Sequence, residues 1–162
     1  MLRYLVISIS ILALAACSSM PSGPKFQGVS VTPRPSESVL YVYRPNAYYG
    51  MAVTYSILLN DKKIADLGND GYFPLAVEPG HYSIRPDTDG IDHPYEFDAE
   101  SGETVFLRLK VNRKPALCFC TSLEFEQVDK SVAVGELAAT RKETERVYGY
   151  STRNTAHNNV VK

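Results

Sequence analysis

Residues 51–67, MAVTYSILLNDKKIADL, decide the fold. From Met51 to Leu59 the residues Val53, Tyr55, Ile57 and Leu59 alternate with Thr54 and Ser56. A period of two is what a strand buried on one face requires. Asn60-Asp61 then reverses the chain into Lys63-Ile64-Ala65-Asp66-Leu67. Two apolar-alternating runs joined by two turn-forming residues read as a β-hairpin.

The same grammar continues on both sides. Val39-Leu40-Tyr41-Val42-Tyr43-Arg44 is β-branched and aromatic on both faces, which predicts a central strand ended by Pro45-Asn46. Gly68-Asn69-Asp70-Gly71 is a loop, and Tyr72 to Val77 is extended. Glu78-Pro79-Gly80-His81 predicts a type II turn with positive φ at Gly80, leading into Tyr82-Ser83-Ile84-Arg85. Tyr95 to Ala99 alternates, Ser101-Gly102 turns, and Val105, Leu107, Leu109 and Val111 share one face of the next strand. The last strand runs from Leu117 to Val128, with Leu117, Phe119, Leu123 and Phe125 on one face. Short strands punctuated by turns predict a mainly β protein, a small antiparallel β-sandwich. One short C-terminal helix follows, with Ser131 as its cap and Val134, Leu137, Ala138 and Arg141 at helical spacing.

The N-terminus is of another kind. Arg3 precedes an apolar core, Leu5 to Ala16, interrupted only by Ser8 and Ser10. Charge, short apolar core and small residues before a cut define a secretory signal, and the core is shorter than the roughly 20 residues a spanning helix needs. Leu14-Ala15-Ala16-Cys17 resembles the signal of the bacterial lipoprotein pathway. That resemblance implies cleavage between Ala16 and Cys17, a diacylglyceryl thioether on Cys17, and acylation of the new amine. Two or more acyl chains anchor stably where one is marginal. Ser18, by resemblance to enterobacterial sorting, implies the outer membrane of a Gram-negative bacterium, with the domain facing the periplasm. The expected organisation is therefore a signal peptide at 1–16, a lipidated Cys and Pro/Ser-rich tether at 17–37, a β-sandwich at 38–142, and a polar, disordered tail at 143–162.

Charge narrows the function. The full chain has 17 basic and 18 acidic residues; loss of Arg3 with the leader leaves a net charge of about −2. Nucleic-acid binding wants a clustered basic face, which the sequence lacks. Asp87-Thr88-Asp89-Gly90-Ile91-Asp92 gathers three carboxylates, so Asp87, Asp89 and Asp92 are a calcium candidate. The EF-hand order is missing, and a solvated acidic loop is the preferred reading, with no metal or other cofactor expected. Cys118 and Cys120 sit two apart on an expected strand. Their β-carbons would be about 6.6 Å apart, against about 3.8 Å in a disulfide, so two free thiols are preferred and a redox pair is the alternative. His93 adjoins the acidic loop, and zinc would need more ligands than the sequence assembles around it; a concave pocket gathering His81, His93 and carboxylates would instead point to an enzyme. Most tyrosines should be core, whereas Tyr48 and Tyr49, beside Gly50, form a candidate ligand patch.

The phrases VLYVYRP, YSILLNDKKIADLGNDGYFPLAVEPGHYSI, GETVFLRLK and LEFEQVDKSVAVGEL resemble the bacterial lipoproteins grouped as domain of unknown function 2846, over about Ser38 to Arg141. VEPGHYSI is also similar to the PEGA-type surface β-domains. The resemblance implies a small β-sandwich on a lipid anchor and brings no reaction and no site residues. The expectation is a non-enzymatic envelope protein, attached to the membrane by acyl chains, that binds an envelope protein or plays a structural part. The alternative is a module binding carbohydrate or peptidoglycan through Tyr48 and Tyr49.

Overall fold

The computed structural model describes residues 21–88, 93–113 and 121–143. Among these residues nine strands and one helix follow in the order β1 (Ser38–Arg44), β2 (Tyr55–Leu59), β3 (Lys62–Leu67), β4 (Gly71–Val77), β5 (Gly80–Pro86), β6 (Tyr95–Ala99), β7 (Thr104–Arg113), β8 (Thr121–Gln127), α1 (Lys130–Leu137) and β9 (Arg141–Lys142). They form a five-stranded sheet, β8-β7-β1-β4-β9, and a four-stranded sheet, β3-β2-β5-β6. The mainly β sandwich with one short helix is as the sequence predicts. Its pairing is mixed rather than wholly antiparallel, because β1 runs parallel to β7 and β4 parallel to β9. The consecutive pairs β2–β3, β5–β6 and β7–β8 are antiparallel hairpins, β1–β4 and β2–β5 pair antiparallel across the chain, and the parallel contacts arise where distant segments return to the same sheet.

β1 is buried at all seven positions. Its residues divide by parity, as a pleated strand demands. Leu40 and Val42 point between the sheets, where they join Ile57, Leu59, Phe73, Leu75, Ile84, Leu107, Leu123 and Phe125. Val39, Tyr41 and Tyr43 point the other way, into a second core with Phe26, Tyr72, Phe106, Ala133 and Leu137. The five-stranded sheet is therefore covered on both faces.

The cover on the outer face overturns the expectation of a tether for its described part. Phe26 is buried, its ring edge-on to Tyr41 at 6.2 Å and to Tyr72 at 5.4 Å between centroids. The Val31 N–H donates to the Tyr41 hydroxyl at 3.0 Å, and Val29 and Val31 pack on the same core. Backbone bonds stitch this strap to the C-terminal strand: Gly23 N–H to Lys142 C=O, Lys142 N–H to Pro24 C=O, and Phe26 N–H to Thr140 C=O. Proline-rich composition argued for a free linker, but a few apolar side chains against a waiting aromatic face outweigh it.

Local expectations met mixed outcomes. Asn60 (φ 47°) and Asp61 (φ 60°) form the two-residue turn of the β2–β3 hairpin, in the mirror-image geometry that matches strand twist. A bulge follows, in which Ile57 faces Ala65 and Leu58 faces Lys63, so Ile64 is the extra residue and both Ile64 and Ala65 are buried. β2 starts at Tyr55, not Met51, because residues 50–53 close a turn with Val53 N–H bonded to Gly50 C=O. Gly80 does not take positive φ; it opens β5 opposite Ala99, and the reversal falls at Glu78-Pro79. α1 is capped from Asp129, not Ser131, and without a side-chain hydrogen bond. Ala133 and Leu137 form its buried face, whereas Ala138 is exposed and Arg141 belongs to β9.

If the strap is part of the fold, Phe26→Ala destabilises the protein by about 3 kcal/mol in denaturant unfolding. A free tether would leave the unfolding free energy unchanged.

Candidate functional site

The arginine that ends β1 organises one end of the sandwich. Arg44 shares the inward parity of Leu40 and Val42, and its side chain is fully buried. Its Nη1 donates to Val53 C=O at 2.7 Å and its Nη2 to Gly50 C=O at 2.8 Å. The guanidinium lies 4.9 Å from the centre of the Tyr55 ring, a cation–π contact. Burial pulls Arg44 below its ordinary pKa, opposed by Tyr55 and the carboxylate of Glu143. A buried cation of this kind persists because backbone carbonyls and an aromatic face replace water.

What Arg44 holds is the loop 45–54, which crosses from one sheet to the other. Gly50 is required there twice. Its φ is 71°, and a β-carbon would stand 2.9 Å from the Tyr55 hydroxyl. A second fastening comes from buried Asn69, whose Oδ1 accepts the Ala47 N–H at 3.0 Å. Thus a rigid underside carries an apolar outer side. Tyr48 (80% exposed), Met51 (51%), Val53 (44%) and Tyr49 (42%) are four of the five large hydrophobic residues exposed among the described residues. Tyr48 and Tyr49 stand edge to face at 5.5 Å. Arg113, at the end of β7, lies 5.7 Å over the Tyr49 ring.

The sequence singled out Tyr48 and Tyr49, and both are exposed at this end. It missed Arg44, although its parity with Leu40 and Val42 was visible. It also expected Val53 in a strand, whereas Val53 belongs to this loop. Ala16, Cys17, Asp89, Asp92, Cys118 and Cys120 lie outside the described residues. Asp87 is exposed, its N–H bonded to Ser56 C=O. Among the described residues no three His, Cys, Asp or Glu side chains gather as a metal site.

Two charged clusters lie elsewhere. On the outer face of the five-stranded sheet the Tyr43 hydroxyl donates to Glu136 of α1 at 2.7 Å, and Arg108 pairs with both Glu136 and Glu126. Burial, then the bond to Glu136, pushes the Tyr43 phenol far above its ordinary pKa. This network pins α1 to the sheet. On the four-stranded sheet His81 faces Asp98 across β5 and β6, with Nδ1 2.9 Å from Oδ1, and Glu96 lies 3.7 Å from Nε2. His93 precedes β6 and is exposed; the register separates it from His81 along the strands.

The described residues form a two-layer β-sandwich with an exposed aromatic loop at one end. The chain belongs to the family described as Protein of unknown function (DUF2846), whose model matches residues 34–119. It is also similar to an uncharacterized protein of Haemophilus influenzae, 24% identical over 110 residues. That match covers 65% of this chain and 64% of the relative's length.

Replacing Arg44 by Met lowers stability by about 2 kcal/mol, since it deletes charge-assisted bonds. It also speeds hydrogen exchange of the Val53 amide more than that of β5 amides; equal rates would contradict the lock. His81 offers a pH test. The hydrogen bond and charge of Asp98 raise its pKa above 6.5, with Glu96 adding to the effect. A raised pKa means that the pair contributes in full below the ordinary histidine value and fades as pH rises through the elevated one. In an NMR titration Asp98→Asn shifts the His81 midpoint downward; an unmoved midpoint would contradict the pairing.

Proposed function

We propose that this is a lipid-anchored cell-envelope protein that works by contact, as a protein-binding or structural component, and not as an enzyme. The anchor rests on Leu14-Ala15-Ala16-Cys17 and the short apolar leader before it. The outer membrane, facing the periplasm, is the location that Ser18 favours. The observation that carries the contact role is the clustering of Tyr48, Tyr49, Met51 and Val53 on a loop locked from beneath by Arg44. Fixed apolar side chains on an otherwise polar surface are the usual mark of an interface.

The sheet edges support the loop over strand addition as the mode of binding. β3 carries Lys62 and Lys63, β6 carries Glu96 and Asp98, and β8 carries Glu124 and Glu126. Charged edge strands resist pairing with another chain. Carbohydrate is the second reading. A sugar platform wants aromatic faces open side by side, whereas Arg113 covers Tyr49 and Tyr48 stands edge-on to it. That arrangement favours a protein contact.

Fractionation of cells tests the anchor. The parent protein is expected in the membrane fraction, with Cys17 acylated by mass, and Cys17→Ser in the soluble or unprocessed pool. A bare Cys17 in the membrane-derived protein would contradict the reading. For the loop, a photo-crosslinker at position 48 is expected to give a discrete adduct in cells that one at position 62 does not. Equal patterns from the two positions would remove the loop from the account.

A further inference from the structure

The strap changes where the domain must sit. A free linker from Cys17 to Glu37 would let the sandwich stand off from the membrane by tens of ångströms. Instead the chain is already docked at Pro21, which is buried, and at Gly23, which is bonded to Lys142. Four peptide steps separate Cys17 from Pro21, and a fully extended chain spans at most about 14 Å over that distance. If Cys17 carries the anchor, the edge of the five-stranded sheet made by residues 23–26 and β9 is held close to the bilayer.

That edge is basic. Lys25 and Arg141 are exposed and pair across the isolated bridge, and Lys142 follows Arg141 on β9. Two acids, Asp70 and Glu143, lie beside its three cations. Asp70 faces Lys25 and Arg141, but burial raises its pKa in spite of them. Glu143 directs Oε1 onto the Gly68 N–H at 2.6 Å. Of the other edge strands, β6 and β8 carry acids on their exposed positions, whereas β3 carries Lys62 and Lys63, the latter paired with Asp66.

We infer that the edge formed by residues 23–26 and β9, with Lys25, Arg141 and Lys142, lies on the anionic headgroups of the anchoring membrane and sets the orientation of the sandwich. The inference rests on the lipid anchor proposed above. Cations within a Debye length of about 8–10 Å of an anionic surface are attracted to it, and a basic patch beside an acyl anchor is an established pairing of physical signals. The strands then run along the membrane plane, so the loop 45–54 at their end points sideways and stays open to a neighbouring protein.

The test uses the native protein purified from membranes, its acylation read by mass, in bicelles containing phosphatidylglycerol and a gadolinium-chelating lipid. Amide signals of Gly23, Lys25, Phe26, Arg141 and Lys142 are expected to be lost, while those of β6 and β8 persist. Lys25→Glu with Arg141→Glu should abolish that selectivity while the protein stays anchored. Loss centred on Tyr48 to Val53, or spread evenly over the domain, would overturn the orientation and leave the anchor standing. A bare Cys17 would overturn the anchor, and the orientation with it. Selectivity unchanged by the charge reversal would overturn the electrostatic contact.

Discussion

A strand that is apolar on both faces needs two partners, and β1 sets that demand for the whole molecule. Leu40, Val42 and Arg44 look into the space between the sheets, while Val39, Tyr41 and Tyr43 look outward. The four-stranded sheet meets the first demand. The second is met by α1 and by the strap at 21–37, neither of which is stable alone: the helix has eight residues and the strap has no strand ladder of its own. Each is held by the same aromatic face, and β9 ties one to the other through Thr140, Arg141 and Lys142. The ends of the described chain thus close the fold rather than trail from it.

Arg44 carries the same strand into the crossover loop. The alternation that buries Leu40 and Val42 also buries a guanidinium, and a buried cation must find acceptors. It finds them in the carbonyls of Gly50 and Val53, which fixes the crossover loop and leaves its apolar side chains outside. Core packing and surface chemistry are joined in one residue. Tyr48 and Tyr49 stand exposed on the loop that these bonds hold.

Much of this was legible in the sequence, because strand alternation is a local signal. The two-sided burial of β1, the Asn60-Asp61 hairpin and the exposure of Tyr48 and Tyr49 were readable from neighbours in the chain. What was not readable depended on partners far away. Phe26, Val29 and Val31 sit in a segment rich in Pro and Gly, and only the aromatic face of β1 and β4 gives them a place to bury. The parallel pairing of β1 with β7 depends on where the chain returns after the second sheet is complete. Arg44 closed an apolar run and was not singled out. Its burial follows from the loop that folds over it, which no local window contains. The turn at Glu78-Pro79-Gly80 shows the reverse case, where a familiar local phrase yielded to the need of Gly80 to pair with Ala99.

The strap belongs to the folded body, bonded to Thr140, Lys142 and the Tyr41 hydroxyl. Hydrogen exchange of the native protein reads this directly at the amides of Gly23, Phe26 and Val31, which donate to Lys142 C=O, Thr140 C=O and the Tyr41 hydroxyl. Protection of these three well above the free-peptide rate, rising and falling with that of β4 as denaturant is varied, is the predicted result. Exchange at the rate of an unstructured peptide while β1 and β4 remain protected would contradict it.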